Sequence, residues 1–169
     1  MTLLDLGESK PQVLWIGCSD SGFDEIAALN LGADDTIVLR NIGNIFLDDG
    51  PTCMSTAQYA LDMLKATHVV VCGHYDCGLV KASSNVGLGD PWRSILNALR
   101  SECAGQLKGL AQDERDRRFV ELNVLAQVKT LANVPEVASA MASRGLKIHG
   151  LVYDRSRNKV VRLELESEQ

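Results

Sequence analysis

Two stretches decide the fold: Val13-Leu14-Trp15-Ile16-Gly17-Cys18-Ser19-Asp20-Ser21-Gly22 and Val69-Val70-Val71-Cys72-Gly73-His74-Tyr75-Asp76-Cys77-Gly78. Each is an apolar run that breaks at Gly and then presents side chains able to bind a metal. A short apolar run closed by a turn signal reads as a strand buried on both faces, which is typical of parallel sheets. In open parallel α/β sheets, ligands sit beyond the carboxyl ends of the strands, where the strand order reverses. Cys18, Asp20, His74 and Cys77 are therefore expected to project from two strand ends into one crevice. Two thiolates, one imidazole and one carboxylate make a donor set suited to Zn²⁺.

Outward from these stretches the chain alternates strand and helix patterns. Strand one is expected over 12–17, followed by helical apolar spacing over 23–29, with Asp24 and Glu25 in the first turn and Gly32 as the stop. Thr36–Leu39 reads as a second strand, and Arg40-Asn41-Ile42-Gly43-Asn44 as a polar loop on the same crevice. Pro51 opens a helix that runs to about Leu64. His68–Gly73 is the third strand, and a short helix follows Gly78. A Gly-rich passage, 85–90, precedes an amphipathic stretch opened by Pro91-Trp92. Phe119–Leu131 carries a helical apolar pattern, and Pro135 starts a helix closed by Gly145. Leu146–Tyr153 is the fourth strand, and Val160–Leu165 alternates like an edge strand across a turn at 154–159. This order predicts an α/β fold, a mostly parallel sheet with an antiparallel last strand and flanking helices. The 169 residues form one domain, 1–169, with residues 1–11 as a loose lead-in.

Composition excludes several classes. The chain is 46% hydrophobic and 23% charged, which suits a globular protein and not a disordered one. Its net charge of −5, with no cluster of Lys and Arg among aromatics, argues against nucleic acid. The run Asp113-Glu114-Arg115-Asp116-Arg117-Arg118 has mixed sign and reads as a solvated helix start. No stretch has the length of an apolar membrane span. Met1–Lys10 lacks a basic segment followed by an apolar one, so it is not a secretory signal. Five Cys, an odd count, suggest thiols in a reducing compartment, cytoplasmic with organellar import left open. Cys72 is expected in the core, and Cys53 and Cys103 as small apolar residues on helices. His68 and His149 read as structural strand residues.

The chain resembles the β-class carbonic anhydrases at Cys18-Ser19-Asp20-Ser21, Arg40-Asn41-Ile42-Gly43-Asn44, His74-Tyr75-Asp76-Cys77-Gly78 and His149-Gly150-Leu151-Val152-Tyr153-Asp154. The resemblance covers about residues 12–165. It implies a three-layer fold with sheet order 2-1-3-4-5, a Zn²⁺ held by Cys18, His74 and Cys77, and a homodimer or higher homo-oligomer. It also implies zinc-dependent, reversible hydration of CO₂ to bicarbonate and a proton. Asp20 and Arg40 would be the catalytic residues, with Asp20 accepting a hydrogen bond from the nucleophile and Arg40, Asn41 and Gly43 shaping the loop. Phe23, Ile42 and Phe46 could line a CO₂ pocket.

One departure is at Gly22, where the family motif carries an Arg that pairs with the motif's Asp. A bidentate Arg–carboxylate pair is a strong, directed interaction. Without it, Asp20 is free to become a fourth metal ligand and close the site, unless Arg40 or another basic residue replaces the missing charge. A second departure is the short lead-in before strand one, so the dimer is expected to be built differently or more weakly. The alternatives are a zinc-binding relative with a structural or sensing role and no hydration activity, and a hydrolase of a CO₂-like molecule such as carbon disulfide.

Overall fold

The computed structural model describes residues 6–7, 11–82 and 91–164. The Gly-rich passage 85–90 and most of the 1–11 lead-in lie outside the described residues. Five strands form one sheet: β1 Val13–Cys18, β2 Thr36–Asn41, β3 His68–His74, β4 Lys147–Asp154 and β5 Lys159–Arg162. Their order is β2-β1-β3-β4-β5, with β4–β5 antiparallel and the other pairs parallel. The edge strand is shorter than the alternation at 160–165 predicts.

Every residue of β1 and β3 is buried, because helices cover both faces. Alternate residues serve alternate layers. Leu14, Ile16, Cys18, Val69 and Val71 pack in the larger layer with α2 (Pro51–Asp62), α6 (Gln112–Ala132) and α7 (Pro135–Arg144). Val13, Trp15, Val70 and Cys72 face the smaller layer with α1 (Glu25–Leu29). Leu6 joins that second layer and is buried, so the lead-in is not loose at this residue. Three short or amphipathic helices, α3 (Gly78–Ala82), α4 (Pro91–Glu102) and α5 (Ala104–Leu107), complete the larger layer.

Helix boundaries follow their local chemistry. Asp24 is the N-cap of α1 and accepts from the Ala27 N–H at 3.0 Å. The helix stops at Asn30 in the left-handed conformation and not at Gly32, since Asn tolerates that conformation. Pro51 and Pro135 sit in first turns, where a missing N–H costs nothing. Gly145 caps α7 with φ of 70°.

The long helix α6 crosses the sheet closely where β3 and β4 carry Gly73 and Gly150. A Cβ on Gly73 would lie 2.7 Å from Val124 Cγ2 and 3.3 Å from Val120 Cγ1. A Cβ on Gly150 would lie 3.2 Å from Val124 Cγ1. Gly73→Ala therefore overpacks the seam beside the strand end. It is expected to cost about 1–3 kcal/mol, read as a fall of about 3–10 °C in the melting midpoint. An unchanged midpoint would contradict this account of helix–sheet packing.

Candidate metal centre

Parallel pairing sets the site. Gly17 of β1 lies level with Cys72 of β3, so the two strands release their next residues side by side. The donor atoms of Cys18, His74 and Cys77 consequently lie within 4.8 Å of one another, and all three residues are buried. The two sulfurs are 3.9 Å apart. His74 Nδ1 faces the Tyr75 carbonyl at 3.0 Å, so this nitrogen carries the proton and donates it. That leaves the Nε2 lone pair free, and Nε2 is buried without a hydrogen-bond partner. A buried, unpaired acceptor beside two thiols is the arrangement expected of a metal ligand fixed by its second hydrogen bond. Two sulfurs and one imidazole nitrogen fit Zn²⁺.

The thiols are tuned by each other. The hydrogen bond from Cys77 is the largest influence holding the Cys18 thiol below its ordinary pKa, with burial opposing it and His74 assisting. The same hydrogen bond and burial push Cys77 up. The first proton is thus lost from the pair more easily than the second, and a bound cation would favour loss of both. Backbone donors support the charge, since Gly43 N–H and Asp20 N–H reach Cys18 Sγ at 3.2 and 3.4 Å.

The Gly43 loop is held by polar side chains that are partly or fully buried. Gly43 has φ of 84°, and its loop closes through Asn41, which donates to the Ile45 carbonyl at 2.7 Å and accepts from the Ile45 N–H at 2.8 Å. Asn123 of α6 donates to the Gly43 carbonyl at 2.9 Å. Gln127, one turn later, accepts from Phe46 N–H at 2.9 Å and donates to Asn123 at 3.0 Å. Neither amide belongs to a motif that marks the site in the sequence. Their signal was a pair of amides four apart on an otherwise apolar helix face. Tyr75 is fixed too, with its ring 3.5 Å beneath the Arg117 guanidinium and its hydroxyl donating to Glu121 at 2.8 Å. Burial raises the Tyr75 hydroxyl to about 12.

Asp20 and Arg40 stand beside the cluster. Asp20 is exposed, and its Oδ2 accepts from the Gly78 N–H at 2.9 Å, one residue past Cys77. Arg40 lies under the loop, donating to the Cys18 carbonyl at 3.1 Å, Ser21 Oγ at 3.2 Å and the Phe23 carbonyl at 2.6 Å. It also pairs with Glu25, which is buried and so is more than a first-turn acid facing solvent. A further arginine, Arg155, reaches the same loop from the β4–β5 turn. Of the apolar candidates, Phe46 is buried in the larger layer, Ile42 is exposed, and Phe23 packs against Trp15 and Tyr153 in the other layer.

The remaining Cys and His lie elsewhere. Cys72 faces the second layer, where burial raises its thiol. Cys53 is buried in α2, and Cys103 is half-buried ahead of α5. His68 and His149 stack at 5.1 Å near the amino ends of β3 and β4, the opposite end of the sheet. Burial lowers His149 to about 4.

The family model described as carbonic anhydrase matches residues 13–160. A carbonic anhydrase of Emericella nidulans is 36% identical over 157 residues, which are 89% of this chain and 68% of that protein. Among solved structures, the wild-type β-carbonic anhydrase CafD of Aspergillus fumigatus superposes with a TM-score of 0.84 at 43% identity, covering 94% of this chain and 92% of that one. A tetrameric β-carbonic anhydrase from Sordaria macrospora gives a TM-score of 0.84 at 35% identity, covering 93% and 82%. A match that runs from the first residue of β1 into β5, on a fold shared with these solved members, places the chain in the β-carbonic anhydrase family, the lyases that hydrate CO₂.

Proposed function

We propose that this chain reversibly hydrates CO₂ to bicarbonate and a proton at a Zn²⁺ held by Cys18, His74 and Cys77. The observation that carries the reading is the buried cluster of two sulfurs and one unpaired imidazole nitrogen. Bound Zn²⁺ supplies Lewis acidity and lowers the pKa of the water it coordinates toward about 7. Two thiolates return more charge to the metal than imidazoles would, so activity rises with pH.

The protein's own groups do the positioning. His74 offers Nε2 because its Nδ1–H donates to the Tyr75 carbonyl. Gly43 and Asp20 amides stabilise the Cys18 thiolate. Asp20, held at Oδ2 by Gly78, presents an acceptor at the mouth of the site that can orient a hydroxyl group there. Arg40 is a positioning residue, since its donors are engaged by the 18–25 segment. The free cysteines suit a reducing compartment such as the cytoplasm. No helix among the described residues is long and apolar enough to cross a membrane. By analogy with the tetrameric relative, the chain acts as a homodimer or higher homo-oligomer.

A second reading is a zinc protein without hydration activity, favoured by Gly22, which offers no cation to Asp20 from its own position. Stopped-flow hydration on protein with one zinc per chain decides between them. The first reading predicts rates well above the buffer blank, rising from about pH 7 to 9. Blank-level rates on fully metallated protein would establish the second. The ligand set is tested separately. Cys18→Ser is expected to lose zinc and to melt at a lower temperature, read by metal analysis and calorimetry. Stoichiometric zinc in that variant would contradict the assignment.

A further inference from the structure

Gly22 has φ of +60°, and a Cβ built on it would lie 3.0 Å from Arg155 Nη2 and 3.7 Å from its Cζ. The space beside residue 22 is thus taken by a guanidinium from near the far end of the chain. Arg155 Nη2 donates to the carbonyl of Asp20 at 3.0 Å and to that of Ser21 at 2.7 Å.

The turn that carries Arg155 is built to aim it. Asp154 is buried, and its Oδ1 accepts from Ser156 N–H at 3.1 Å and Ser156 Oγ at 2.6 Å. Its Oδ2 pairs with Arg117 at 3.2 Å, and the Ser156 bond and the guanidinium hold its carboxyl below the usual range. The turn closes with Arg157 N–H on the Asp154 carbonyl and Asn158 N–H on the Arg155 carbonyl, each at 3.3 Å. Tyr153 ties this end to the loop it faces: its hydroxyl donates to Asn158 at 3.2 Å, and its ring packs 4.5 Å from Phe23. Arg155 therefore starts from a pinned backbone and reaches a loop packed against the same aromatic group.

We propose that Arg155 is the positioning residue for Asp20, clamping the Asp20–Ser21 peptides from the space that Gly22 leaves. Asp20 is then held at three points: its N–H on Cys18 Sγ, its carbonyl on Arg155, and its Oδ2 on the Gly78 N–H. A carboxylate so restrained stays at the mouth of the site and does not swing onto the metal. A guanidinium suits this task because it offers several donors in a rigid fork, where an ammonium offers a flexible point charge. The clamp and a side chain at position 22 exclude each other. An arginine there would strain a left-handed backbone and displace Arg155.

The effect on turnover rests on the hydration activity proposed above, so the test carries a second readout. Wild type, Arg155→Ala, Arg155→Lys, Gly22→Arg and the Arg155→Ala/Gly22→Arg double variant are compared as metal-loaded full chains. Hydration rates and the visible spectrum of the Co²⁺-substituted protein are measured on each. Arg155 is exposed, so its truncation leaves the core intact. Arg155→Ala is expected to keep one metal per chain, lose about 10–100-fold in kcat and change the Co²⁺ spectrum as Asp20 approaches the metal. Arg155→Lys recovers part of the loss. Gly22→Arg lowers activity in the native background and raises it in the Arg155→Ala background, a reversal of sign that only shared space explains. An unchanged kcat and Co²⁺ spectrum in Arg155→Ala would overturn the proposal, as would equal effects of Gly22→Arg in both backgrounds. If wild type itself hydrates no CO₂, the proposed activity fails, while the Co²⁺ spectra still decide the role of Arg155.

Discussion

Parallel pairing in register fixes the levels at which two neighbouring strands end, and the site depends on that constraint. Val13 pairs with His68 and Gly17 with Cys72, so β1 and β3 end within one residue of the same level. Cys18 closes β1, while His74 closes β3 and Cys77 follows within one tight turn. In that turn Asp76 takes a φ of 64°, and Lys81 pairs with its carboxylate at 2.9 Å. A slip of one residue in this register would turn Cys18 toward the opposite layer. Burial on both faces prevents the slip, because Leu14, Ile16, Val69 and Val71 would exchange layers with Val13, Trp15 and Val70.

The strand ends bring the three donor side chains close, and polar side chains, some buried and some exposed, then hold the loops around them. Arg40 is tied to three acceptors on the 18–23 segment and to Glu25, Asn123 and Gln127 to the 43–46 backbone, and Arg155 to residues 20 and 21. Each bonds main-chain groups at or just beyond the ends of the strands, where the regular ladder of hydrogen bonds stops. Most of these side chains work at one remove from the donor atoms. They set the direction of the Gly43 and Asp20 amides and so the charge that Cys18 can carry.

Periodic and punctuating features were legible in the sequence. The apolar runs of β1 and β3, the prolines at 51 and 135, and Gly145 each act through local chemistry, and the structure uses each where it was read. The meeting of Cys18, His74 and Cys77 was legible because parallel sheets gather their strand ends. What depended on tertiary geometry was not. Glu25 looked like an ordinary first-turn acid until the fold set it against Arg40. Leu6 looked like part of a loose leader, yet it fills the second layer. Gly22 advertised a missing arginine, but only the β4–β5 turn shows which cation occupies its space.

The convergence of β1 and β3 on a metal is read directly by X-ray absorption at the zinc edge on the purified holoprotein. Two sulfur neighbours near about 2.3 Å, one imidazole nitrogen near about 2.0–2.1 Å and one further light atom are predicted. A sphere with fewer than two sulfurs, or with no imidazole, would contradict the claim that the ends of β1 and β3 converge on a metal.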